Sequence, residues 1–292
     1  MAPPSADSPV AHHVQEEPKV SQTTINSKAS LPSKAYPTPL VYSGSLDRYE
    51  SFDLTTVIGK EFPTVQLTEL LEDDAKIKDL AITVSQRGVV FFRNQDINIE
   101  EQKNLAQKLG ELSGKPETSK VNYATLKVVG LPGKVGGDTL FASGYDAYDR
   151  LSPSWQDFLE GLTATHFQPS FNKIVAEKGI ELIEENRGTP ENTGTHFQAV
   201  HWKSIFGAGQ QVEHGWINNV TDRESELIKA YLLEIIALNY DLQVRIKWNQ
   251  NDLAIWDNDY KEKRVAHRVL SIGERPYLDK NSSSRREALG GL

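Results

Sequence analysis

The chain contains no cysteine, and Met1 is its single methionine. Disulfides, thiol nucleophiles and cysteine-ligated zinc or iron–sulfur centres are thereby excluded. No apolar run approaches the ~20 residues that a membrane-spanning helix needs, and none near the N-terminus has the form of a signal peptide. The last residues, Leu289 to Leu292, are not a peroxisomal tripeptide of the usual kind, so the expectation is a cytoplasmic protein with no membrane partner. Positive charge is also in short supply. Lys and Arg number 32 against 40 Asp and Glu, a formal net charge of −8. Such a balance argues against a nucleic-acid partner, although a small anion can still find a locally basic pocket.

What is present suits a soluble domain. With 292 residues, 38% hydrophobic and 25% charged, the chain is long enough to bury a sizeable core. Its first 44 residues read differently. Seven of the fourteen prolines fall within the first 39 positions, among Ser, Thr, Lys and Ala, with few large apolar groups. Such a segment cannot bury enough surface to offset its chain entropy, so residues 1–44 are expected to be a disordered arm and residues 45–292 the folded domain. His12-His13 lies in the arm and reads as a solvated pair.

Periodicity then outlines the domain. Ile77, Leu80, Ala81 and Val84 mark one face of a helix that Gly88 stops. Val89 to Phe92 reads as a buried strand. Ile99 to Leu109 reads as a second helix, with Leu105, Ala106 and Leu109 inward and Gly110 ending it. This helix–strand–helix block is expected at the edge of the scaffold. Tyr123 to Val129 and Thr139 to Ala142 read as strands. Ser152-Pro153 starts a helix whose buried face is Trp155, Phe158, Leu159 and Leu162. Thr221 and Glu224 form a capping box, and behind it Leu227, Tyr231, Leu232, Ile235 and Ile236 are expected inward. Leu242 to Trp248, Asp252 to Trp256 and Arg264 to Ile272 are strand-like, with Trp256 in the core and Asp257 capping a turn. The pattern is that of an α+β fold with a β-sandwich core.

Several phrases in this order resemble the taurine dioxygenase branch of the Fe(II)/2-oxoglutarate-dependent dioxygenase superfamily, in particular its fungal sulfonate dioxygenases. They are Gly88 to Arg93, Gly136 to Gly144 with Tyr148 to Ser152, Leu159 to Ala164, Asp241 to Arg245, Ala254 to Asn258, and Arg264 to Arg268 running into Gly273 to Tyr277. The resemblance spans Leu46 to Gly290. It implies a double-stranded β-helix, or jelly-roll, with flanking helices, and Fe(II) and 2-oxoglutarate as cofactors. The implied reaction oxidises a small anion of the sulfonate or sulfate-ester type. By the same resemblance Thr139 and Arg264 match the positions that hold the distal carboxylate of 2-oxoglutarate, and Arg268 the position that contacts the sulfonate. A guanidinium supplies a permanently charged bidentate clamp, and a hydroxyl adds a third donor. Two surface arginines are the alternative reading. A homo-oligomer is left open.

The resemblance also implies three iron ligands, a His-x-Asp pair and a distant His, and these are missing. Two positions after the seven histidines stand Val14, Gln15, Gln168, Gln198, Lys203, Trp216 and Val269. In the family the pair falls between phrases that here occupy 114–120 and 123–127, and these are almost joined. The distant His falls after the Trp-Asp-Asn phrase, whereas here Asn258 runs straight into Asp259-Tyr260. A third shortening is expected at His201-Trp202. His166, His196, His201, His214 and His267 read as surface or core histidines, and Glu181, Glu184 and Glu185 as a solvated helix face. The jelly-roll is accordingly expected to be incomplete, with no metal ligand and no catalytic residue to assign. A non-catalytic relative that binds a dicarboxylate or a protein partner is the rival expectation.

Overall fold

The computed structural model describes residues 40–113, 123–131, 137–167, 177, 192–194, 202–205, 214–257, 265–270 and 282–290. Residues 1–39, the 181–185 cluster, Arg264, and His12, His13, His196 and His201 lie outside them.

The described chain opens with β1 (Phe52–Asp53), β2 (Lys60–Phe62), α1 (Leu67–Leu70) and α2 (Asp74–Arg87). Asp73 caps α2 by accepting from the Ala75 amide, and Gly88 ends it at φ +71°. That left-handed conformation favours glycine. β3 (Val89–Phe92) follows, then α3 (Ile99–Leu112), whose start is a reciprocal capping box of Asn98 and Glu101. Gly110 does not end α3. The helix continues to Leu112, and Ser113 closes it by donating to the Leu109 carbonyl. Burial of Leu105 and Leu109 outweighs the ~1 kcal/mol that an interior glycine costs a helix.

β4 (Tyr123–Gly130) and the late strands β11 (Leu253–Asp257) and β12 (Val265–Leu270) complete a six-stranded sheet in the order β1-β2-β3-β11-β4-β12. Only β2 and β3 run parallel. β11 enters between β3 and β4, antiparallel to both, with Leu253 opposite Phe92 on one side and Lys127 on the other. β3 is therefore interior, and among the described residues the sheet's edges are β1 and β12. This corrects the expected edge position of the helix–strand–helix block, because its neighbour arrives from the far end of the chain.

Both faces of this sheet are covered, which explains why four apolar residues in a row suit β3. Val90, Phe92, Leu253 and Ile255 pack against Ile77, Leu80, Val84, Leu105 and Leu109 of α2 and α3. The alternate residues Val89, Phe91, Ala124, Val128, Ala254 and Trp256 pack against the opposite layer. That layer is the antiparallel pair β5 (Thr139–Ala142) and β10 (Gln243–Ile246), which contributes Phe141, Val244 and Ile246, joined by Trp248 just beyond β10. Trp256 is core, as read from the sequence, whereas the side chain of Asp257 lies outside the described residues.

A second cluster gathers α4 (Gly144–Asp149), α5 (Pro153–Glu160), β6 (Ala164–Phe167) and β9 (His214–Ile217) with α6 (Asp222–Leu238). β6 is the middle strand of a sheet ordered β7-β6-β9, β7 being Asn192–Gly194. β8 (Trp202–Lys203) pairs in parallel with β13 (Ser283–Ser284), which leads into α7 (Arg285–Ala288). The expected helix faces need correction here. Ser225, Ile228, Leu232 and Ile235 are buried on α6, whereas Leu227 is 54% exposed. Apolar residues stand in adjacent pairs along this helix, and packing took one member of each pair. On α5 Leu159 is buried, but Trp155 and Phe158 stack edge-to-face at the surface. Among the described residues no helix is long and apolar enough to cross a membrane.

Candidate functional site

Between the six-stranded sheet and the β5–β10 layer lies a packed floor of aromatic side chains. Phe141 meets Phe91 edge-on with ring centroids 5.6 Å apart, and Trp256 at 5.5 Å. Trp248 meets Phe91 at 6.3 Å. Thr139 is half-buried at the margin of this floor. Its backbone pairs with Ile246, and its hydroxyl oxygen accepts a hydrogen bond from Trp248 Nε1 at 2.8 Å. Nothing in the sequence links Trp248 to Thr139. Only the pairing of β5 with β10 brings them together. Asp138, one residue earlier, accepts from Arg245 of β10 through Nε and Nη2, both at 2.7 Å. That ion pair fixes the start of β5, and thereby Thr139, against its neighbour.

Arg268 lies on β12, where its backbone stands opposite Leu126 of β4. Its neighbours two positions away, Ala266 and Leu270, stand opposite Val128 and Ala124, residues of the inter-sheet core. A register shift between Val265 and Ala266 marks the start of this strand. Arg264, immediately before it, is outside the described residues. Thr139 and Arg268 thus belong to the two layers that pack face to face.

Iron is the metal that the family resemblance implies, and the described residues provide no donor set that fits it. Among the described residues no three His, Asp or Glu side chains gather as a metal site. His166 stands opposite Gly215 and His214 opposite Phe167, one register step apart.

Elsewhere among the described residues, two buried polar sites are satisfied internally. Tyr148 donates to Glu160 at 2.5 Å, and Lys203 pairs with the same carboxylate oxygen at 2.8 Å. Burial, then that hydrogen bond, raises the Tyr148 phenol far above its usual range. Lys127 is held at 7% exposure with Nζ donating to the Ile97 carbonyl at 2.8 Å, and burial lowers its pKa. Ile97 lies on the helix-covered side, away from the aromatic floor.

Comparison with known proteins adds three findings. The pattern described as the taurine catabolism dioxygenase TauD, TfdA family matches residues 50–129 and 123–273. An alpha-ketoglutarate-dependent dioxygenase of Aspergillus oryzae is 37% identical, over 87% of this chain and 96% of its own length. One of Penicillium shearii is 35% identical over 364 positions, covering 86% of this chain and 96% of its own length. The 364 aligned positions exceed the 292 residues of the chain, so many carry no residue of it. Among solved structures, AAD-2 in complex with Mn(II) and N-oxalylglycine superposes with a TM-score of 0.58 at 18% identity. That likeness covers 79% of this chain and 100% of AAD-2.

Proposed function

Because this chain belongs to the TauD, TfdA family of alpha-ketoglutarate-dependent dioxygenases, we propose that it takes 2-oxoglutarate at Thr139 and Arg264. A small anion of the sulfonate or sulfate-ester type would be met by Arg268. The six-stranded sheet and the β5–β10 layer are the two walls of an incomplete jelly-roll, and the cytosol is its compartment. The observation that carries this reading is the continuous family match over residues 123–273, which includes all three positions. Thr139 supports it independently as a fixed hydroxyl at the margin of an apolar floor between two sheets. A few placed polar groups on apolar walls are the usual make-up of a small-molecule site.

The sequence carries no His-x-Asp or His-x-Glu, and among the described residues no three His, Asp or Glu side chains gather, which supports a part in binding rather than oxidation. Arg264 and Thr139 hold one carboxylate, and burial between the walls contributes the remainder of the affinity. In this form the protein does not turn over 2-oxoglutarate. The purified chain, supplied with Fe(II), ascorbate and 2-oxoglutarate, is expected to yield no succinate above a no-protein blank. Metal-dependent succinate would overturn the binding-only reading. Ligand-observed NMR titration with 2-oxoglutarate is expected to show saturable binding with a dissociation constant of roughly millimolar order. Absence of any saturation would remove the ligand assignment.

A further inference from the structure

Trp248 stands just past the end of β10, and the backbone is fixed on both sides of it. The Lys247 carbonyl accepts from Arg93 Nη1 at 3.1 Å, and the Asn249 amide donates to Asp252 at 2.7 Å. Arg93 and Asp252 are themselves an ion pair. The indole is buried and meets Phe91 edge-on, so the ring has little room to turn. From this seat Nε1 donates to the Thr139 hydroxyl oxygen at 2.8 Å, between residues 109 positions apart.

A threonine side chain has three staggered positions, and its hydroxyl both donates and accepts. An indole N–H only donates. The bond therefore selects the rotamer that turns Oγ1 toward the indole, and it occupies one acceptor lone pair. Accepting from the indole also polarises the O–H, which strengthens it as a donor. Beneath the side chain, the Asp138–Arg245 ion pair and the pairing of Thr139 with Ile246 hold the backbone. A fixed hydroxyl biased toward donating suits a ligand group that only accepts, such as a carboxylate. Its preset orientation also lowers the ordering cost of binding.

We infer that Trp248 is a positioning residue for the ligand: it fixes and polarises the Thr139 hydroxyl that receives the distal carboxylate of 2-oxoglutarate. This rests on the reading of Thr139 and Arg264 as the 2-oxoglutarate site and deepens it. Trp248 acts through Thr139 rather than by touching the ligand.

A double-mutant cycle on the full chain tests this, with 2-oxoglutarate titrated by ligand-observed NMR and thermal unfolding run beside it. Thr139→Val removes the hydroxyl and keeps the β-branch. Trp248→Phe removes the indole N–H and keeps an aromatic ring against Phe91. Each is expected to weaken binding about three- to fivefold. The double variant should bind no worse than Thr139→Val alone, because the indole then has no hydroxyl to act on. Thr139→Ser, which keeps the hydroxyl, should stay near the parent. If Thr139→Val weakens binding and Trp248→Phe does not, or if the two losses multiply, the bond only satisfies a buried indole. That result would overturn the inference and leave the ligand reading standing. Unchanged binding in Thr139→Val, or no saturable binding by the parent, would remove the ligand reading and this inference with it. Should Trp248→Phe fail to fold, the five indole N–H signals of the nitrogen-15-labelled parent decide the matter. The signal that Thr139→Val displaces most must also move on saturation with 2-oxoglutarate, and a signal that stays in place would overturn the inference.

Discussion

Arg93 sits where three stretches of chain meet. Its Nε and Nη2 donate to the two carboxylate oxygens of Glu61 at 2.9 and 2.8 Å, and its Nη1 to Asp252 at 2.5 Å and the Lys247 carbonyl at 3.1 Å. Asp252, 2% exposed, also accepts from the backbone amides of Asn94 and Asn249. Removing one partner of a buried pair strands the other, so Asp252→Ala is expected to lose about 3–5 kcal/mol of stability. Urea unfolding measures this, and a loss under about 1 kcal/mol would place the pair with weak surface bridges. Arg264 makes a sharper test of ligand binding. A charge-assisted contact contributes about 1.5–3 kcal/mol. Arg264→Lys, which keeps the charge and loses the fork, should weaken 2-oxoglutarate binding several-fold in the NMR titration, and Arg264→Ala should abolish it. Arg268→Ala should leave it nearly unchanged, since that position is assigned to the other substrate. If Arg264→Ala binds as well as the parent, Arg264 is an ordinary surface arginine.

At the scale of elements, residues 43–45 are held to α2 by one carboxylate. Asp79 on α2, 1% exposed, accepts from the amides and hydroxyls of both Ser43 and Ser45, each at 2.8 Å. Burial pushes its pKa upward, but these four hydrogen bonds outweigh burial and hold it below the usual carboxylate value. A depressed folded pKa stabilises above the unfolded value, about 3.9, and the contribution is lost as pH falls through the folded one. The attachment of residues 43–45 should therefore persist at neutral pH and weaken below about pH 4. Asp79→Asn should flatten that dependence, as read by hydrogen exchange of residues 40–46. A chain starting at Leu40 should melt with the parent, whereas one starting at Ser45 loses the Ser43 contacts and should melt lower. Local signals made much of this scale legible. Thr221 with Glu224 and Ser152-Pro153 each start a helix within the reach of a few side chains. Thr139–Ala142 alternates as a strand with one face on the core and one outward. Which apolar residues face inward on α5 and α6 was not legible. Leu227 and Ile228 are equal candidates until β9 chooses between them.

For the whole molecule, long-range pairing governs both legibility and stability. The insertion of β11 between β3 and β4 has no local signature, and it decides which strands are interior. Leu253, Ala254 and Ile255 are fully buried and flanked by hydrogen-bonded strands on both sides. Their amides should exchange only through global unfolding, while those of the edge strands β1 and β12 exchange earlier. Exchange of β11 as fast as β12 would contradict this sheet order. The candidate site follows the same rule. Thr139 and Arg268 were legible as residue types in family phrases, but their placement on facing layers depends on pairings between residues more than a hundred positions apart.

The late arrival of β11 has a consequence during synthesis. Ribosomes deliver β3 and β4 well before residue 253. Until then the facing borders of these two strands, Val89–Phe92 and Tyr123–Lys127, have no mate, and both are apolar. An unmated apolar border readily captures another chain. The nascent protein thus carries an open slot through more than a hundred residues of elongation. Chaperone binding and aggregation of truncated translation products should peak just short of residue 253 and fall once β11 has been made.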